Sequence, residues 1–224
     1  MKAYCINLKT STDRRKKMTD QFEREGLDVE FVEGYNSREE KPVLENSIYI
    51  GDFGNLMSIR KVLSDMVEHN IDQAVIFEDT VKLCSNFKTK LEQLVLPDRW
   101  DLVYLGYLTP VCWSEYSDQL NRGKVLGTWS FMATLECAKK LLAFDPLDFW
   151  ISNDVHLTAM PLRTFYTKEK LTVRDKSIQT IGGANFITRQ SLRPLFVCHI
   201  LQWFPILEIL FLILVLILYI RLRR

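Results

Sequence analysis

Ala74-Val75-Ile76-Phe77-Glu78-Asp79-Thr80 joins an apolar run to two adjacent carboxylates. The run reads as a buried strand of an α/β sheet. Carboxylates at the end of such a strand sit where α/β sheets hold ligands. Adjacent carboxylates repel, so they are kept near a cation or a proton that must move. The blander alternative is a solvated junction between strand and loop.

Outward from this strand, the first 190 residues alternate strand-like and helix-like segments. Ala3 to Leu8 is a short apolar strand. Ser11 or Thr12 can cap a helix to about Glu25, which Gly26 ends. Val29 to Val32 is a second strand, and a polar loop runs from Gly34 to Asn46. From about Asn55 to His69, Leu56, Ile59, Val62, Leu63 and Met66 recur at helical spacing. Beyond the carboxylates, a helix near Phe87–Leu94 precedes a strand at Trp100–Gly106. Val125 to Ala133 is strand-like, and Glu136 to Phe144 is a short helix broken by Asp145-Pro146. The stretch 151–190 is weakly patterned, with short strands at Arg163–Tyr166 and Lys170–Val173. Strands alternating with helices predict a mainly parallel sheet covered on both faces.

The 224 residues suffice for one domain plus an appendage. The net charge of +1 gives no reason to expect binding to nucleic acid. Taking Arg221, Arg223, Arg224 and Glu208 from 29 basic and 28 acidic residues leaves 26 and 27, a net of −1 without the tail. The five cysteines are scattered and form no Cys-x-x-Cys pair, which argues against a disulfide framework and a zinc knuckle and predicts buried free thiols in a reducing compartment. His69, His156 and His199 match no metal-ligand spacing.

No secretory signal opens the chain, because the apolar residues after Met1-Lys2 are too few for an h-region. The other end differs. Ile209 to Ile220 is twelve consecutive apolar residues, within a stretch 201–220 interrupted by Gln202 and Glu208. As a helix, 201–220 would reach about 30 Å, the thickness of a hydrocarbon core. Its apolar residues contribute roughly −6 kcal/mol to insertion, against at most about +3 for one acid near the edge. Trp203 and Tyr219 sit at the two ends and Arg-Leu-Arg-Arg closes the chain. The expectation is an α/β domain over 1–190 and a membrane anchor with a basic tail over 191–224. It places the protein on a membrane, single-pass near the C-terminus, with the larger domain in the cytosol.

Several features recur in a fixed order. Ile6-Asn7-Leu8 is followed by Asp13-Arg14-Arg15, Gly51-Asp52-Phe53-Gly54 and Ser58. Then come Ile76-Phe77-Glu78-Asp79, Trp100 to Gly106, Gly127, Ala138-Lys139-Lys140-Leu141-Leu142 and Pro146-Leu147-Asp148. The set resembles glycosyltransferase family 25, which includes bacterial lipooligosaccharide galactosyltransferases and the collagen galactosyltransferase domains. The resemblance covers about residues 3–150 and fades towards 180.

The resemblance implies a GT-A-like, Rossmann-type α/β/α sandwich, completed here by the C-terminal transmembrane helix. It implies an inverting transfer of a hexose, galactose or glucose, from a nucleotide diphosphate sugar, foremost a UDP-sugar. The acceptor would be a glycan, a lipid-linked glycan or a protein. A divalent cation, Mn²⁺ or Mg²⁺, would offset the charge of the leaving diphosphate. A base would take the acceptor proton.

Carried over residue by residue, Asn7 and Leu8 resemble the strand end that contacts the nucleotide, and Arg14 would be free to pair with a phosphate. Asn36 stands near a position where the family has Asp. Gly54 and Ser58 resemble the Gly-x-x-x-Ser opening the next helix. Glu78 and Asp79 would hold the metal, and Asp148 or Asp154 would be the base. Two departures stand out. Ser58-Ile59 replaces the family's Ser-His, and Glu78-Asp79-Thr80 replaces an acidic triplet. Thr80 lacks the second charge of a D-x-D-like pair, so metal binding would be weak or aided by another acid such as Asp101. The alternative is an inactive relative, a tethered module that binds without turnover.

Overall fold

Lys2–Asn7 forms the first strand, β1, in the computed structural model, which describes residues 1–40, 50–146 and 153–178. Helix α1 (Thr12–Glu25) follows and stops at Gly26, whose φ of 62° is left-handed backbone that glycine adopts without steric cost. Next come β2 (Glu30–Glu33), the short α2 (Ser37–Glu40) and α3 (Ile50–Glu68). Strand β3 (Gln73–Glu78) is the stretch that ends in the carboxylates, and β4 (Val81–Leu83) and α4 (Phe87–Glu92) follow it. The rest of the domain is β5 (Leu102–Gly106), β6 (Thr109–Glu115), β7 (Leu120–Leu126), β8 (Ser130–Thr134), α5 (Leu135–Leu142), α6 (Asn153–Ala159), β9 (Thr164–Thr167) and β10 (Thr172–Arg174).

Eight strands form one sheet in the order β2-β1-β3-β8-β5-β9-β7-β6, and β10 pairs with β4 apart from it. The sheet is mixed, which corrects the expectation of a mainly parallel one. Strand β1 runs parallel to β2 and β3, and β5 parallel to β9. Strand β8 enters antiparallel between β3 and β5, and the hairpin β6–β7 adds antiparallel pairs at the far side. The reason lies at Gly127, whose φ of 87° breaks the run Val125–Ala133 into the end of one strand and the start of another. The chain turns there and returns through the middle of the sheet.

The side chains of each central strand alternate between two layers. Tyr4, Ile76, Tyr104 and Phe131 pack under α3 and α5, against Ile59, Val62, Leu63, Met66 and Leu141. Cys5, Val75, Phe77, Val103 and Met132 pack on the opposite face against Met18 and Phe22 of α1 and Phe87 of α4. The expected α/β/α layering is therefore present. The thiol expectation holds for Cys5 and Cys137, free and buried, and for Cys84, free and half-buried. It fails at Cys112, which is disulfide-bonded.

The chain divides into two units, Met1–Phe186 and Ile187–Arg224. The membrane expectation is corrected: among the described residues no helix is long and apolar enough to cross a membrane. The stretch 201–220 on which that expectation stood lies outside the described residues, as does the proposed anchor domain 191–224.

Candidate functional site

Strands β1, β2 and β3 run parallel and end together at Asn7, Glu33 and Glu78, with Ile6 paired to Glu78. This carboxyl edge collects most of the residues singled out from the sequence. Asn7 is 3% exposed, and its amide donates to Asp79 Oδ2 at 2.7 Å and to the Ser11 carbonyl at 3.2 Å. Arg14, in the first turn of α1, donates from one terminal nitrogen to Asp79 Oδ1 at 2.9 Å. Its other terminal nitrogen donates to Ser11 Oγ at 2.9 Å. Arg14 is therefore not free, as the sequence suggested, but locked to the second carboxylate of the motif.

Glu78 faces the other way. Asn55 of α3 donates to its Oε1 at 2.6 Å, and the Thr80 hydroxyl donates to its Oε2 at 3.2 Å. Asp79 and Thr80 form the turn after β3, and their partners show which way each side chain faces. Glu78 accordingly turns towards the α3 layer, Asp79 towards α1, and Thr80 back to the side of Glu78. Burial pushes the Glu78 carboxyl up to about 7, with Asp79 adding repulsion and the hydrogen bonds from Asn55 and Thr80 opposing the rise. Burial also raises the Asp79 carboxyl, against the pull of Arg14 and Asn7.

Asp52 lies one helical turn before Asn55 and shares its face of α3. Burial, with the nearby Asp154 charge, lifts its carboxyl to about 6. Asp154, in the first turn of α6, accepts a hydrogen bond from the Gly127 N–H at 2.9 Å. That contact brings the start of α6 to the turn between β7 and β8. Asp148 lies outside the described residues.

The remaining sequence candidates shape the wall of the cleft. Ser58 Oγ donates to the Gly54 carbonyl at 2.6 Å and accepts from the Tyr35 N–H at 2.8 Å. A Cβ on Gly54 would stand 2.5 Å from Ser37 Oγ and 3.0 Å from the Tyr35 carbonyl, so glycine is required for α3 to approach the loop after β2. Gly54 and Ser58 thus pin this loop beside the strand ends. Asn36 accepts from the Arg38 N–H at 3.3 Å and supports the start of α2. Leu8 is half-buried next to Gly34, and Ile59 is a core residue under the sheet.

Asp101 stands at the opposite edge of the sheet and gives no help to the acidic motif. It precedes β5, which runs parallel to β3 across the intervening β8, so it falls at the amino end. There it is fully buried, taking Arg163 through Nε and a terminal nitrogen at 3.0 Å each and Lys140 at 2.8 Å. Burial works to raise its carboxyl, but these donors outweigh it and hold it well below the usual carboxylate range.

A divalent cation needs several oxygens, with converging carboxylates among them. The four carboxylate oxygens of Glu78 and Asp79 already accept from Asn55, Thr80, Arg14 and Asn7. The two groups also diverge into different layers. Among the described residues no cluster of three or more His, Cys, Asp or Glu is placed to hold a metal. The donor set does not fit the expected cation.

The sequence reading missed Asp52 and Asn55. Asp52 stood in the Gly51–Gly54 motif and Asn55 at the expected helix start, but neither was assigned to the site; α3 starts at Ile50, which puts both on it. The family model of glycosyltransferase family 25 (LPS biosynthesis protein) matches residues 1–122.

The chain belongs to glycosyltransferase family 25. This family 25 chain is 28% identical over 183 residues to a glycosyltransferase 25 family member of Aedes aegypti, a match covering 70% of this chain and 30% of that protein. It is 29% identical over 144 residues to the inactive glycosyltransferase 25 family member 3 of Mus musculus, covering 60% of this chain and 24% of the relative. The matches thus span between a quarter and a third of these curated relatives. The fold is similar to that of a glycosyltransferase involved in glycosylation of the major capsid of PBCV-1, with a TM-score of 0.50 at 12% identity. That likeness covers 80% of this chain and 93% of the viral one, and supports the mixed α/β, Rossmann-like glycosyltransferase fold.

Proposed function

We propose that this chain transfers a hexose from a nucleotide diphosphate sugar to an acceptor hydroxyl, with inversion, at the carboxyl edge of β1 and β3. The observation that carries this reading is the meeting of Asn7, Arg14 and Asp79 at that edge. A guanidinium held where parallel strands end is suited to an anionic ligand. Asn7 and Leu8 would border the nucleoside, with Asn36 on the adjoining loop that Gly54 and Ser58 hold in place.

In the reaction, the acceptor oxygen bonds to the anomeric carbon as the bond from that carbon to the diphosphate oxygen breaks. The nucleotide diphosphate leaves with the bonding pair, and the hydroxyl proton passes to a carboxylate. Asp154 is our base, with Asp148 the other acid implied by the motif order. Asp52, raised to about 6 beside Asp154, offers a second carboxylate with a proton affinity near that of a working base. UDP-galactose or UDP-glucose would be the donor, and a glycan, lipid-linked glycan or protein the acceptor.

A second reading is binding without turnover. Thr80 in place of an acid favours it, as do the mammalian relatives named inactive. One experiment separates the two. The full chain and its Asp154→Asn variant are assayed for UDP-sugar hydrolysis and transfer across a donor panel, beside the effect of UDP on thermal stability. Nucleotide at about 100 times its dissociation constant stabilises by about 2.7 kcal/mol. Turnover lost in Asp154→Asn supports the enzyme; stabilisation with no turnover supports the binding module. Neither effect would sink both.

A further inference from the structure

The acidic motif carries its charges in an arrangement unlike a metal clamp. Two carboxylates that grip one cation must leave the chain on the same side, and here the hydrogen bond between Glu78 and Thr80 marks those as the positions that do. Thr80 is neutral, 4% exposed, and spends its hydroxyl on Glu78. The intervening Asp79, which points the other way, is occupied by Arg14 and Asn7. We infer that Arg14 takes the place of the cation: the Asp79–Arg14 pair presents a guanidinium, not a metal ion, to the diphosphate of the donor. This rests on the nucleotide-sugar reading above.

Three observations support it. The first is geometric. A guanidinium has five N–H donors in one plane. Arg14 uses one on Asp79 and one on Ser11, leaving three for a phosphate, and planar bidentate pairing is what this group does best. The second is rigidity. The Arg14 side chain is 21% exposed and its partner Asp79 8%, so the guanidinium is fixed while part of it still meets solvent.

The third is local and independent of the motif. Ser11 stands at the cap of α1 but makes no capping hydrogen bond; its hydroxyl accepts from Arg14 instead. The first-turn N–H groups of this 14-residue helix are left without a side-chain partner, beside the guanidinium. A helix N-terminus favours negative charge. The Arg14 guanidinium thus lies at the N-terminus of α1, where Asp13 of the same turn offsets part of the positive charge. Asp79 acts here as a positioning residue: it fixes the guanidinium and does not touch the donor.

The test uses the full chain, UDP as the probe, and buffers containing either EDTA or Mn²⁺. We expect UDP to raise the melting temperature equally in both. Mn²⁺ alone, followed by electron paramagnetic resonance, should show no stoichiometric site. Arg14→Gln should weaken UDP at least about tenfold in either buffer. Asp79→Asn, which keeps only a neutral acceptor for Arg14, should weaken UDP less than Arg14→Gln does, and equally in EDTA and in Mn²⁺. UDP stabilisation that needs Mn²⁺ and disappears in Asp79→Asn would overturn the inference while leaving the donor reading intact. An absence of any UDP effect in both buffers would overturn the donor reading itself, and this inference with it.

Discussion

Glu78→Gln tests whether the first carboxylate of the motif is held neutral by the fold. Burial raises this carboxyl from 4.5 to about 7. Between those values the native chain keeps a proton that the unfolded chain has released. Stability then falls as pH rises, by up to about 1.4 kcal/mol per pH unit. The contribution is complete below 4.5 and is lost as pH passes through about 7. Integrated over the window, the loss is about 3 kcal/mol. Gln does not titrate, keeps an oxygen for Asn55, and can donate its amide to Thr80, whose hydroxyl turns to accept. Parent and variant should therefore be nearly equal in acid, and the variant should be more stable by about 3 kcal/mol in mild alkali. Urea unfolding of both proteins at constant ionic strength across this range measures the difference. Asp52, raised to about 6, slopes in the same direction but is present in both chains and cancels. A difference that stays flat with pH would refute the picture of a buried, neutral Glu78.

Three further substitutions probe other parts of the domain. Thr80→Asp should destabilise the metal-free chain by about 1–3 kcal/mol near neutrality, because it buries a second carboxylate beside Glu78. Mn²⁺ should recover part of that loss in the variant and do nothing for the parent; a melting series without Mn²⁺ dependence in Thr80→Asp would rule out the two-residue clamp geometry. Asp101→Ala should cost about 1–3 kcal/mol by denaturant midpoint, since it removes the buried acceptor of the Arg163 backbone N–H while Arg163 and Lys140, each more than a third exposed, turn to water. A loss near zero would mean that water replaces the carboxylate without penalty. Gly54→Ala should cost about 1–3 kcal/mol through crowding against the Tyr35 carbonyl, which cannot rotate away. Adding Ser37→Ala should recover some of it, because the Ser37 hydroxyl is the other clash and is itself buried without a partner.

The elements that hydrophobic period and punctuation could reveal were legible in the sequence. β1, α1 with its Gly26 stop, and β3 lie within about two residues of the segments read from pattern alone. The hairpin β6–β7 was not legible. Its turn at Tyr116–Gln119 lacks the Asn-Gly or Asp-Gly signal of a two-residue hairpin loop, and only Gly127, Thr128 and Trp129 separate β7 from β8. Antiparallel insertion into a sheet is a tertiary event, and no local period encodes it. At the site, residue types were legible and partners were not. The sequence offered Arg14 as a spare cation because Asp79 is 65 residues away along the chain, and the closing of α1 over β3 brings them together. Asn55 and Asp52 were not assigned to the site because an amide and an acid near a helix start are ordinary capping residues until a sheet edge faces them. Asp101 looked like reserve charge for the motif until its strand direction placed it at the other end of the sheet.

That other end has a mechanical character of its own. The Asp101 backbone donates to the Arg163 carbonyl at 2.8 Å and accepts from Thr134 at 3.2 Å, while its side chain takes Arg163 and Lys140. One residue thus joins the entry to β5, the junction of β8 with α5, and the start of β9. These segments cannot fray one at a time, because releasing any of them exposes the same buried charge. Their amides should exchange together, at the rate of global opening. The carboxyl edge is tied differently: Asp79 takes Asn7 of β1 and Arg14 of α1, while Asn55 of α3 and Thr80 bond to Glu78. A chain built this way anchors the entries of β5 and β9 and the exit of β8 through one residue, which keeps those strands in register whatever occupies the opposite rim.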